Sequence, residues 1–458
     1  MHMTTNSMRA EEQPMQSAPK SFHPAHRWAA GALALLALAG CDFKVTNPGP
    51  VDDRYLDDAR AHAAVVQGAV RSLGQSLNYV SYTTAAITRE LFPAGSTSSF
   101  GITPRQQQGI LAFDDESINA PWLAAQRARF IAESGFERFA AERTEAKKSI
   151  DDYPEGARAA LYAGYANRIL GDNWCQVLFD GGPAVPADSA LKRAEAWFTR
   201  AYSIAQKMPA GSATEQSTRT TLLQAALAGR ASVRATLGNW AGAADDAAQV
   251  PTAFKFQMQY SAAETDQYNR IFWAGASTPY RAHTVWRTVN DDYYTASKDP
   301  RTPWALHATQ PTGDAAVMDL GRVPFHQQRK YTDRASPINL SSGREMRLLE
   351  AEALLRKGDW NGAMTAINAL RTAVGVGTVS ASNLEEAWTR LKRERGIELW
   401  LEGRRMGDLR RWSKEKAPGQ LDVLEKPGEP SRLSATQTLC YDFSKSERET
   451  NPNLPRVP

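Results

Sequence analysis

The sequence predicts a mainly α-helical fold of helical hairpins, interrupted by one long, irregular, aromatic-rich insertion. Three observations predict it. Apolar residues recur at helical spacing through most of the chain after Val51. Two segments 120 residues apart, Leu237–Ala247 and Lys357–Ile367, carry one corner pattern. Between them, residues 251–343 lose the helical period and hold 13 aromatics in 93 residues, about 14% against 9% for the chain.

The front end is a separate element. The apolar run from Ala29 to Ala39 is too short for a permanent membrane helix, which needs about 20 residues. Lys20, His23, His26 and Arg27 precede it, so a basic lead meets a short apolar core, as in a secretory signal. The run ends Leu38-Ala39-Gly40-Cys41, which resembles the lipobox of bacterial lipoproteins. That resemblance implies cleavage before Cys41, diacylation of its thiol and acylation of the new amine. Each buried CH₂ contributes about 0.8 kcal/mol, so two or more acyl chains make a stable tether. A plain signal peptide with a chance cysteine is the alternative. Residues 1–40 are therefore set aside as signal, and 41–458 are expected to form the folded domain.

Composition bounds the class. Hydrophobic residues are 42% and charged residues 23%, an ordinary globule. Residues 1–40 hold three basic and two acidic side chains, so the formal charge of +4 becomes +3 after cleavage. That excess gives no case for nucleic acid. Two cysteines remain, Cys175 and Cys440. Outside the cytoplasm an even remainder permits a disulfide between them. Two buried thiols are the alternative.

Helices follow in order. "DDARAHAAVVQGAVRSL" has apolar residues at helical spacing, with Asp57 and Asp58 near its start. "PWLAAQRARFIAESGFERFAAER" places Pro121 in a first turn. "PEGARAALYAGYANRIL" is closed by Gly171, and "LKRAEAWFTRAYSIAQK" shows one apolar stripe. The corner segments "LGNWAGAADDA" and "KGDWNGAMTAI" share Gly, a short polar residue, Trp, Gly and Ala in register. Gly238 and Gly358 can take the left-handed conformation that closes a helix. Asn239 and Asp359 can cap the next one. Gly242 and Ala243, like Gly362 and Ala363, leave room for close helix approach. Such hairpins, near 161–250 and 344–371, resemble tetratricopeptide-type repeats, which stack into a superhelix.

The insertion, 251–343, carries prolines at 251, 279, 300, 303, 311, 324 and 337. A long irregular segment in a helical scaffold is more often functional than idle. A sugar ring has apolar C–H faces and a polar rim, so flat aromatics with hydrogen-bonding neighbours suit it. Trp273, Tyr280, Trp286, Tyr293, Tyr294 and Trp304 offer faces, and Arg281, Asn290, Asp291 and Asp292 offer partners. Many of these aromatics could instead pack the insertion onto the helices. Tyr79, Tyr82 and Phe100, upstream of the hairpins, are further aromatic candidates. The tail after Lys416 is Pro- and Gly-rich and is expected to wrap the surface.

"REMRLLEAEALLRKGDWNGAMTAINALRTAVG", "LKRERGIELWLEGRRMGDLRRW" and "CYDFSKSERETNPNL" resemble the C-terminal half of SusD/RagB-family outer-membrane lipoproteins. The resemblance is closest from Tyr331 to Leu454. "WLAAQRARFIAESGFERF" and "YYTASKDPR" fit more loosely, and Gly135 stands where many members have asparagine. It implies a SusD-like α fold on tetratricopeptide-like repeats, with 344–458 as the C-terminal segment. It also implies a lipid-anchored outer-membrane position facing the cell exterior, and no enzymatic activity or cofactor. The implied role is capture of an oligosaccharide or peptide for a TonB-dependent, SusC-like transporter.

Other chemistry was weighed on the residues. Glu394, Glu398 and Glu402 recur every four residues in a helix expected from Asn383 to Trp412, so a glycoside hydrolase pair is one reading. Such carboxylates point the same way instead of flanking a bond. Arg390, Arg393, Arg404 and Arg405 are at hand, so a structural ion-pair network is the better reading. His62, His283, His307 and His326 show no metal-ligand spacing, and no metal is expected. A repeat scaffold gripping a protein partner, with no small ligand, is the remaining alternative.

Overall fold

A computed structural model describes residues 53–96, 102–278, 280–421, 433–434 and 438–456. The chain divides into Met1–Asp52 and Asp53–Pro458, and the description concerns the second unit. Cys41, its apolar run and Phe100 lie outside the described residues.

The first helix, α1 (His62–Ile87), starts later than Asp57. Asp57 ends a 3₁₀ turn, and Asp58 instead holds Arg60 at 2.5 Å. The helix runs past Leu73 because its second half is buried on nearly every side, which erases the amphipathic period there. The short α2 (Pro104–Gln107) is opened by a Thr103/Gln106 capping box. Next come α3 (Asn119–Glu145), α4 (Pro154–Asn173), α5 (Asp188–Lys207), α6 (Ala213–Thr236) and α7 (Trp240–Ala248). Gly171 does not close α4. It lies inside the helix, where a Cβ would come within 2.6 Å of Leu191 on α5. Gly135 plays the same part between α3 and α1, with Val65 2.9 Å from any added Cβ.

Both hairpin corners adopt one geometry. Gly238 and Gly358 have φ of +84°. The Asn239 side chain accepts the Gly242 N–H at 3.0 Å, and Asp359 accepts that of Gly362 at 2.8 Å. Gly242 is small for a reason other than helix approach: a Cβ there would lie 2.8 Å from the capping Asn239. Ala243 and Ala363, both fully buried, make the close helix contact. The second corner joins α9 (Gly343–Arg356) to α10 (Trp360–Thr372), after the intervening α8 (Val289–Ser297).

Among the described residues, eight short strands add four two-stranded ladders: β1 (Phe92–Pro93) with β5 (His283–Thr284), β2 (Gln176–Val177) with β3 (Val185–Pro186), β4 (Lys255–Met258) with β8 (Ile338–Ser342), and β6 (Trp304–Leu306) with β7 (His326–Gln328). The β4–β8 ladder is the neck of the insertion. It pairs Lys255 with Ser342 and Met258 with Ile338, so the chain leaves and returns at one place. This lets α9 pack beside α7 and keeps the helical stack continuous.

The expected helix from Asn383 to Trp412 is two helices, α11 (Leu384–Glu398) and α12 (Arg405–Glu415). Leu401 and Gly403 between them have φ of +61° and +68°, which an α-helix cannot hold. Glu90 satisfies the break by accepting the Leu401 N–H at 2.9 Å. Glu402 therefore sits in the connection and not on the helix of Glu394 and Glu398.

The tail does more than wrap the surface. Tyr441 and Leu454 are buried in the main core, ahead of and behind the short α13 (Lys445–Thr450). Cys175 and Cys440 are bridged, with Cα atoms 5.1 Å apart across 265 residues of sequence. Beside the bridge, Tyr441 stacks on Trp174, and its N–H donates to Asn173 at 2.8 Å.

Buried ion pairs join α9, α11 and α12. Glu352, fully buried, accepts from Arg411 at 2.9 Å and from the Trp412 indole at 3.0 Å. Asp408 takes two hydrogen bonds from Arg395, at 2.8 and 2.9 Å. Burial alone would raise the Glu352 and Asp408 carboxyls, but the Arg411 and Arg395 charges outweigh it and hold both below the usual carboxylate range.

Removing the bridge with Cys175→Ala and Cys440→Ala should lower stability by about 2–5 kcal/mol, read from denaturant midpoints with and without reductant. A second expectation concerns Glu90, whose carboxyl burial pushes up to about 7 from 4.5. Between those values the folded state holds the extra proton, so Glu90 costs nothing below about pH 4.5 and progressively more as pH rises toward 7. Glu90→Gln keeps an acceptor for the Leu401 amide and loses the charge. Its urea midpoint should match the parent at pH 4 and exceed it at pH 8, by at most about 3 kcal/mol.

Candidate ligand-binding surface

Hydrogen bonding by two asparagine side chains assembles an aromatic cluster where α1 meets the insertion. Asn78 on α1 donates to the Tyr268 carbonyl at 2.5 Å and accepts the Arg270 N–H at 2.8 Å. This holds residues 268–270 against the helix. The Asn269 N–H donates to the Arg334 carbonyl at 2.8 Å, and its side chain donates to the Ser336 carbonyl at 2.8 Å. Tyr268 and Arg334 are thereby brought together. The chain then makes a π-helical turn, Ile271–Ala276, an uncommon form found often at functional sites. It turns back at Arg281, whose N–H donates to the Ser277 carbonyl at 3.0 Å, and this returns Tyr280 to Trp273.

Tyr268 and Trp273 meet edge to face at 5.5 Å, and Trp273 and Tyr280 at 5.9 Å. The Arg334 guanidinium lies 4.8 Å over Tyr268, and that of Arg270 lies 4.0 Å over Tyr79. All four rings are half-buried, with Trp273 and Tyr280 backed by the main core. Half-buried rings fixed from behind are suited to stacking against a flat apolar ligand face.

The other four sequence-predicted aromatics lie in different surroundings. Trp286 meets Phe92 edge to face at 5.7 Å and packs on a small core with Val317 and Val323. Tyr293 donates its hydroxyl to Asp299 at 2.6 Å and lies under Arg393. Tyr294 and Trp304 adjoin at 5.9 Å, with His326 stacked on Trp304 at 4.0 Å. The proposed polar partners also divide. Asn290 and Asp291 turn inward, Asp291 accepting from His326 at 2.7 Å in one tautomer. Arg281 donates to the Thr312 carbonyl at 3.1 Å, and Asp292 is exposed. Tyr82 is buried against His283 at 2.7 Å. Burial lowers His283 to about 3 and keeps it neutral.

The glutamate pair is occupied by arginine. Arg301 reaches from the insertion to Glu394 at 2.6 Å and Glu398 at 2.8 Å. Arg371 holds Glu394 and Arg344 holds Glu398. Burial would raise Glu398, but Arg344 and Arg301 outweigh it and keep it below the usual range, the wrong direction for a general acid. Glu402 is held by Lys330 at 2.8 Å. Arg390 instead pairs with Glu386 at 3.3 Å on its own helix, and the break after Glu398 carries Arg404 away from the glutamate row. Arg404 pairs with Asp172 at 2.7 Å and Glu345 at 3.0 Å.

Two open clefts lie away from these aromatics. One, of about 560 Å³, is lined by Asp188, Leu191, Leu237, Arg410 and Lys414. The other, of about 600 Å³, is lined by Phe113, Asp114, Arg448 and Arg456. Both mix charges of either sign. Among the described residues, no group of three His, Cys, Asp or Glu is placed to hold a metal ion, and no helix is long and apolar enough to cross a membrane.

Tyr268, Arg270 and Arg334 were missed by sequence reasoning. Their one visible signal was membership of the aromatic-rich insertion. The asparagine bonds that gather them join positions as far apart as 78, 269 and 336.

Comparison with known proteins fits this architecture. Residues 344–452 match the model of the SusD family. A search of curated proteins finds no match. Among solved structures, surface glycan-binding protein A from Bacteroides uniformis is similar with a TM-score of 0.62 at 12% identity, over 87% of this chain and 99% of that one. A SusD-like carbohydrate binding protein from Bacteroides vulgatus gives 0.58 at 14% identity, over 86% and 96%. A SusD superfamily protein from Bacteroides thetaiotaomicron gives 0.58 at 16% identity, over 79% and 92%. At such identities the structural likeness shows the fold, mainly helical as expected. Residues 344–452 thus carry the sequence pattern of the SusD family, and most of the chain shares the fold of SusD-like structures.

Proposed function

We propose that this protein is a lipid-anchored protein of the outer cell surface that captures a glycan and passes it to a TonB-dependent transporter, breaking no bond. The observation that carries the reading is the half-buried cluster of Tyr79, Tyr268, Trp273 and Tyr280. It presents rings for C–H faces of sugars, with guanidinium groups at its rim. Tyr294 and Trp304 form a second aromatic face. Trp286 and Tyr293 are assigned to holding the insertion in place. The names of the neighbours from B. uniformis and B. vulgatus support the ligand class. The Cys175–Cys440 bridge supports a place outside the reducing cytoplasm. Cys41 is the proposed lipid attachment, and the domain is proposed to span 41–458 with 251–343 as the ligand-bearing insertion.

Micromolar affinity, about −8 kcal/mol, is the expected scale. Burying a ring face contributes about 1–2 kcal/mol, so Trp273→Ala with Tyr280→Ala should weaken glycan binding roughly 100-fold by calorimetry. Trp286→Ala should lower the melting temperature and leave the affinity of the folded protein unchanged. Unaltered binding in the double variant would remove this cluster from the site, and capture of peptides alone would replace the ligand class. Cys41→Ser should abolish labelling by a fatty-acid analogue and release the protein from the membrane fraction.

A further inference from the structure

Charges on the insertion are partnered unequally. Asp299 is held by Arg301 at 2.7 Å, Asp291 by His326, and Asp314 by the Ser96 N–H at 2.9 Å. Asp333 accepts the Ala335 N–H at 2.7 Å, and Arg71 on α1 holds Glu264 at 2.6 Å and Asp266 at 2.8 Å. Asp292 and Asp319 also have partners. By contrast, among the described residues, Lys298, Arg322, Arg329 and Arg334 have no carboxylate at ion-pair distance. Arginine thus meets Glu264, Asp266 and Asp299, while Lys298, Arg322, Arg329 and Arg334 are exposed without a carboxylate partner among the described residues.

Two cationic groups stand on the aromatic cluster itself. Arg334 is exposed and lies over Tyr268, while Arg270 is half-buried over Tyr79. A guanidinium stacked on a ring keeps its N–H groups in its own plane, around the edge. That edge matches the two oxygens of a carboxylate or sulfate. Stacking also limits rotation, so less freedom is lost when an anion binds. The Asn269 bonds fix the backbone of Arg334 relative to Tyr268 before any ligand arrives. On the second face, Lys298 lies 5.0 Å from the Tyr294 ring.

Building on the glycan reading above, we propose that the surface selects an anionic polysaccharide, one bearing carboxylate or sulfate groups. Arg334 is its specificity-determining residue. Sugar C–H faces rest on Trp273 and Tyr280, and the anionic substituents meet the Arg334 guanidinium edge. The binding is reversible and involves no covalent step.

The test uses the full chain and charge-matched pairs of probes. Oligogalacturonate is compared with its methyl ester, and dextran sulfate with dextran, beside other neutral glucans and polyglutamate. The charged member of at least one pair should bind 10-fold or more tightly than its neutral twin, and the pair that responds identifies carboxylate or sulfate as the group read. That gap should narrow in 0.5 M NaCl. Arg334→Gln should reduce affinity for the charged member by roughly 10-fold and leave the neutral twin unaffected. Arg334 is exposed, so this variant should fold as the parent does. Equal affinity within every pair, or preference for neutral glucans, overturns charge selection and leaves glycan capture standing. Binding of polyglutamate alone, or of no probe, overturns both.

Discussion

The arginine–carboxylate pairing inside the C-terminal half is the constraint on which the rest depends. Glu352, Asp408 and Glu394 are all buried, and each meets a guanidinium within 3 Å. A buried charge without its partner is strongly destabilising, whereas a satisfied pair is close to neutral. The network therefore does not add much stability, but it restricts which helix faces can meet. Leucine faces could slide past each other by a turn with little loss. Arg395 against Asp408, and Arg411 against Glu352, tolerate one register between α9, α11 and α12.

The same chemistry holds the insertion. Its two ends are paired at the β4–β8 neck. Its middle is pinned where Arg301 enters between Glu394 and Glu398. Tyr293 and Asp299 complete that anchor. A segment tied at its neck and middle can carry aromatics in an irregular path without folding them all inward. Asn78 and Asn269 then settle the part nearest α1. Carboxylates that might suggest hydrolysis are thus held by the arginine that anchors the insertion.

Residues that make the sequence recognisable are largely those of this network. "AEA" holds Glu352, "DLRRW" holds Asp408, Arg411 and Trp412, and "YYTASKDPR" ends in Arg301. Such residues define the scaffold and leave the ligand free to vary. The proposed ligand chemistry belongs to Tyr268, Trp273, Tyr280 and Arg334, which none of these motifs contains.

The sequence by itself determined the helical class, the two hairpin corners and the place of the insertion. These depend on local rules: a 3.6-residue period, a glycine with positive φ, and a side chain capping three residues ahead. It also marked the glutamate row as structural, since one helix face cannot flank a bond. Only the tertiary structure decided where α11 ends, because Glu90, some 300 residues upstream, supports the break. Only it separated the six predicted aromatics, set Arg270 over Tyr79 and Arg334 over Tyr268, and joined Cys175 to Cys440. Each of those outcomes rests on contacts between residues far apart in the chain, whose partners no local pattern records.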